Sequence, residues 1–197
     1  MSDIMKERER AFEADFFRKQ DQKLLAKMRE RAALQEVAQA LADKLRVDDA
    51  ELMNRVIGLG LDRENGAAIL LAPLVQVAWA DGEVTDRERE AIFELAATRG
   101  VMPGSATHAK VDAWLRERPP EALYEAAIEV MRVAATLLTP AEREEGVVMI
   151  VDACRRVAKA SGGGLARRLG LASGISHEEA AVIDSIVKKF RDAGPRR

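Results

Sequence analysis

Little in this chain could cross-link it, anchor it or turn it into a sheet. Its single cysteine, Cys154, permits no internal disulfide. Aromatic residues make up only 4% of the sequence, and β-branched residues seldom cluster. Neither sign of charge dominates: 31 basic and 33 acidic residues leave a net charge of −2, so nothing global calls for nucleic acid or an anionic membrane. The longest apolar run, Ala67 to Ala80, falls short of the roughly 20 residues that span a bilayer and is interrupted by Pro73 and Gln76. The start of the chain lacks a basic segment leading into an apolar core and a cleavage site, which predicts a cytoplasmic protein.

What remains is a helical composition. With 48% hydrophobic content, 197 residues can bury a sizeable core, and Ala, Glu, Arg and Leu fill nearly every segment. The expected fold class is all-α. Helix starts mark themselves: Thr85 to Glu88, Thr139 to Glu142 and Ser176 to Glu179 each set a hydroxyl three residues before a glutamate, the spacing of a capping box. Asp48 to Glu51 repeats the spacing with aspartate as the cap. The pattern predicts a short helix over 49–58 and a nearly all-apolar central helix over 64–80, kinked at Pro73. Further helices are expected over 86–99, 105–117, 120–138, 140–160 and 177–192.

Residues 1–46 read as one long, charged helix that precedes a helical domain over 47–194. Leu24, Met28, Leu34, Ala38, Leu41 and Leu45 form a single apolar stripe along it. Phe12, Phe16 and Phe17 lie near its start, among charges. Such rings are costly to leave in water, so they should dock on the chain's own domain, on a second copy or on another protein. Within the domain the sequence echoes itself. Val77-Ala78-Trp79-Ala80-Asp81-Gly82 is answered by Val157-Ala158-Lys159-Ala160-Ser161-Gly162. Val84-Thr85 followed by Glu88, Ile92 and Leu95 is answered, at the same offsets, by Ile175-Ser176 followed by Glu179, Ile183 and Ile186. Two helical hairpins, around 64–99 and 140–192, are therefore expected to share one core. The second carries an insertion, GGLARRLGLAS.

The run VAWADGEVTDREREAI, with its weaker C-terminal echo, resembles the tellurite-resistance TerB-like family over roughly residues 64–192. The resemblance implies an all-helical, internally duplicated, cytoplasmic module tied to stress or metal-related systems. It implies no established catalytic reaction. Family members are thought to bind metal through acidic residues near such corners. Asp81 and Glu83 match the acidic corner here and Glu88 the acid of the following helix, whereas Ser161 and Gly163 replace the two corner acids in the second copy. More narrowly, RERAFE and a following Phe resemble the opening helix of the inhibitory zeta subunit of alphaproteobacterial ATP synthases.

The corner itself admits two readings. Asp81, Glu83, Thr85, Asp86 and Glu88 offer oxygens to a hard divalent cation, Ca²⁺ or Mg²⁺, within one turn and its flanks. The spacing is not that of an EF-hand, whose glycine comes sixth. In the other reading Gly82 turns the corner, Thr85 and Glu88 cap the next helix, and the acids serve its positive end, which is the commoner use of such residues. Other chemistry has thinner support. The glycines before Arg167 and Arg168 lack the lysine and hydroxyl of a nucleotide loop, and His108 and His177 have no zinc-ligand spacing. Cys154 sits in an apolar stripe with Val147, Ile150, Val151 and Val157 and reads as a buried thiol. The function expected is non-enzymatic: binding of a protein partner, with a divalent ion as an addition. The alternatives are a regulatory protein acting through its N-terminal helix and a hydrolase built on the acidic corner.

Overall fold

The computed structural model describes residues 49–161 and 175–191. The helix expected over 1–46, with Phe12, Phe16 and Phe17, and the insertion with Arg167 and Arg168 fall outside the described residues. Among those described there are seven α-helices and no strand. They are α1 (Ala50–Gly58), α2 (Ala72–Ala78), α3 (Asp86–Thr98), α4 (Ala106–Arg116), α5 (Glu121–Ala135), α6 (Pro140–Ser161) and α7 (His177–Arg191), with a 3₁₀ turn over Gly66–Leu71 before α2. None of these helices is long and apolar enough to cross a membrane.

Helix α2 is the centre. Every residue in it except Gln76 is buried, as its unbroken apolar sequence requires. Helices α3 to α7 and the 3₁₀ turn all pack against it. In addition, α3 lies along α6, and α6 along α7, while α1 packs on α5. The buried cluster is continuous, running from Leu52 of α1 through Leu74 and Val77 to Tyr124, Cys154 and Ile186.

Three elements differ from their sequence expectation. The central segment is not one kinked helix over 64–80: it opens as a 3₁₀ turn and becomes α-helical at Ala72, which puts Pro73 in the first α-turn, where its missing N–H breaks no helical bond. The cap of α1 is Asp49, whose carboxylate accepts from Leu52 N at 3.0 Å, one residue after the expected Asp48. Helix α5 stops at Ala135 instead of 138, because the N–H groups of Thr136, Leu137 and Leu138 donate to i−3 carbonyls and tighten the chain before Pro140. The three capping boxes stand where the sequence places them. Thr85 and Glu88 bond reciprocally, Thr139 and Glu142 do likewise, and Ser176 N donates to Glu179 Oε2 while Glu179 N donates to Ser176 Oγ.

Because α2 is the shared contact, truncating it should cost more than any surface change. Leu74→Ala is expected to lower the unfolding free energy by about 2–5 kcal/mol and Gln76→Ala by no more than about 0.5 kcal/mol, read from urea midpoints.

Candidate functional site

The corner between α2 and α3 is built by helix-end chemistry. Gly82 has φ 96°, a left-handed conformation that disfavours any side chain, although a Cβ there would meet nothing within 4 Å. Its N–H donates to Trp79 O at 3.1 Å, closing the turn, and Asp81 Oδ1 accepts from Glu83 N at 3.3 Å. On either side of the corner, a side chain reaches the end of α4. Trp79 Nε1 donates to Trp114 O at 2.8 Å, and Arg89 Nη2 donates to Leu115 O at 3.0 Å. Both acceptors belong to the last turn of α4, where carbonyls have no helical partner. Arg89 also pairs with Asp112 at 2.7 Å, and Arg116 pairs with the other oxygen of Asp112 at 2.6 Å. The run that looked like a concentration of charge thus pins α2 and α3 to α4.

The four acids expected to gather do not share one environment. Asp81, Glu83 and Asp86 are exposed, while Glu88 is 0% exposed. Glu88 is the third residue of α3 and lies on the stripe of Ile92 and Ala96, the other buried residues of that helix. Its Oε2 accepts from Thr85 N at 2.8 Å and from Thr85 Oγ1 at 2.7 Å. Its Oε1 is buried without a hydrogen-bond partner. Burial raises the Glu88 pKa above the ordinary carboxylate value of 4.5; the two Thr85 bonds oppose the rise, and the charges of Asp81 and Glu179 add to it. Glu179, the matching acid of α7, is 1% exposed. The third box has the same bonds and the opposite outcome: Glu142 stands in water, and its bonds to Thr139 lower its pKa. Among the described residues no three His, Cys, Asp or Glu side chains come together in a way that could hold a metal ion.

The remaining candidates within the described residues are the two histidines and Cys154. His108 stacks on Phe93 with ring centroids 4.2 Å apart, and His177 is exposed in the first turn of α7. Cys154 is buried, and burial pushes its thiol pKa up to about 12 against the opposing charge of Arg99, so it stays protonated at neutral pH.

A second surface stands out that sequence reading did not single out. Leu137 and Leu138, at the bend between α5 and α6, are 50% and 41% exposed, and Val148 and Met149 of α6 are 58% and 59% exposed. The first buried residue of α6 is Ala153, so its opening turns project past the core. On their flank Pro140, Arg143, Glu144, Val147, Phe190 and Arg191 line a shallow open cleft against the end of α7. Helical phase carried a signal: Val148 and Met149 fall off the stripe of Val147, Ile150, Val151 and Cys154 and must face outward. Compared with models of protein families, with curated proteins and with solved structures, the chain matches none.

Replacing Glu88 by Gln keeps an acceptor for Thr85 and removes the charge that burial disfavours. A group whose pKa rises on folding stabilises most below its unfolded value, and that stability is lost as pH climbs through the folded value. Urea midpoints of the parent are therefore expected to fall relative to Glu88→Gln as pH rises above 4.5. Parallel curves for the two proteins would contradict the assignment.

Proposed function

We propose that this chain is a non-enzymatic, TerB-like helical module that acts by binding a protein partner in a stress-related setting. The observation that carries the proposal is the exposed apolar face of Leu137, Leu138, Val148 and Met149. Large apolar side chains left in water on neighbouring elements, next to helix turns that carry Arg143 and Glu144, are a physical mark of a docking surface. The TerB-like part rests on the sequence echo and is supported by the packing of its two hairpins, in which α3 meets α6 and α7 meets α2. It is supported too by the burial of Glu88 and Glu179 at the same position of their boxes.

Two narrower readings accompany it. A Ca²⁺ or Mg²⁺ ion at Asp81, Glu83, Asp86 and Glu88 has in its favour only the unpartnered Glu88 Oε1; the other three acids point to water and Oε2 belongs to Thr85. Action through the N-terminal helix, in the manner of an inhibitor or a dimerising arm, draws on Phe12, Phe16 and Phe17 of the sequence. Helix α5 to α6 offers the more concrete surface.

Two measurements test the proposal. Val148→Glu with Met149→Glu should leave the unfolding free energy within about 0.5 kcal/mol, since both side chains are already wet, and abolish retention of a partner that the parent retains from lysate. Undiminished retention would sink the docking surface. For the ion, adding Ca²⁺, Mg²⁺, Mn²⁺ or Zn²⁺ is expected to leave the parent's melting temperature where it is. A rise that disappears in Asp81→Asn with Glu83→Gln would restore the metal site, by linkage of binding to stability.

A further inference from the structure

Resting on the reading of α6 as a docking surface, we infer that the outward side of this helix pairs with the same helix of a second copy, antiparallel, about a twofold axis at the level of Ile150. Helical phase makes that side one surface. Ala141, Glu145, Val148, Asp152, Arg155 and Lys159 follow one another at intervals of four and three residues, which returns each to the same side, and all six are exposed. Glu144, Met149 and Arg156 flank the stripe and are exposed as well. The opposite side, with Ala153, Cys154, Val157 and Ala158, is buried. Val148 and Met149, 58% and 59% exposed, thus stand in water midway between two acids and two bases.

Charge selects the occupant. Eleven residues make about three turns, so Glu144 lies on the same flank as Arg155, and Glu145 on the same flank as Arg156. Turning a second α6 end over end at the level of Ile150 sets Glu144 against the second copy's Arg155 and Glu145 against its Arg156, on both sides of the axis. The same operation brings the two Val148 and the two Met149 side chains within about one turn of each other at the centre and opposes the two helix dipoles. A parallel pair would set acid on acid and base on base. The charged groups are available: Glu144, on the rim of the open cleft beside α7, and Glu145 and Arg155 have no hydrogen-bond or ion-pair partner. Arg156 engages Asp152 through Nε at 2.9 Å, which leaves its two Nη groups for a facing carboxylate. Acids early and bases late also suit the dipole of a single helix, but that does not account for large apolar side chains left wet between them. The strip from Ala141 to Lys159 is about 27 Å long and roughly 10 Å wide, small against the roughly 800 Å² per partner of a stable complex. The pair should therefore be weak and come apart on dilution through the micromolar range.

Sedimentation of the full chain tests this. The average mass of the parent should rise from one chain toward two with concentration. Arg155→Glu with Arg156→Glu makes the strip acidic throughout, Glu144→Arg with Glu145→Arg makes it basic throughout, and each should weaken association roughly tenfold or more. Mixed in equal amounts, the two variants regain every pair and should dimerise as the parent does, which misfolded chains could not. Orientation is read by cross-linking, with the native Cys154 buried out of reach. Glu145→Cys mixed with Arg156→Cys should form a disulfide between the two variants, whereas Glu145→Cys alone should not, because its two copies lie about 15 Å apart along the axis. A parent that stays a single chain at every concentration, or a mixture that does not dimerise, would overturn the inference. Cross-linking of Glu145→Cys to itself would mean a parallel pair and overturn it too. A single-chain parent that still retains another protein from lysate through Val148 and Met149 would overturn the self-pairing and leave the docking surface standing.

Discussion

A helix start leaves backbone N–H groups without a helical partner, and each is stabilised by finding another acceptor. Here the acceptors at two such starts are glutamates. Glu88 and Glu179 stand at the third position of α3 and α7, bonded to Thr85 and Ser176, and on the same stripe as Ile92 and Ile183. In these two boxes the capping acid is also buried in the core, whereas Glu142 of the third stands in water. Around that constraint α2 is buried on all sides, and the corner beside it is fastened to α4 through Trp79 and Arg89.

The same constraint explains why the acidic corner offers little to a cation. A ligand set requires several oxygens converging on one point. Of the candidate acids, one is turned inward and engaged, and the rest are turned outward. Glu142 provides an internal comparison, since its box is identical in bonding but stands in water and shifts its carboxyl the other way. Burial, and not the motif, sets the sign. The opening turns of α6 that follow Glu142 are also where, among the described residues, large apolar side chains stand in water, in the part of the fold least used for stability.

Much of this was legible in the sequence. The helix starts at Thr85, Thr139 and Ser176 were readable because a hydroxyl and an acid at fixed spacing are a local signal that tertiary packing does not override. Cys154 was readable as buried because its neighbours repeat every three or four residues. The break before Ala72 was not, since an all-apolar segment has no periodicity to mark where a 3₁₀ turn becomes an α-helix. The choice of Asp49 over Asp48 turned on one residue of register between two equivalent side chains. The role of Arg89 was hidden because its partners, Asp112 and Leu115, are distant in sequence. The outward face of α6 was available from phase, but whether a neighbour covers it depends on packing.

The central claim, that the Glu88 carboxyl caps α3 from within the core, is tested most directly by following its side-chain carboxyl carbon by NMR as a function of pH. The account predicts a midpoint above the ordinary 4.5 that is the same with and without Ca²⁺. A midpoint at or below 4.5, or one that Ca²⁺ moves down, would contradict it.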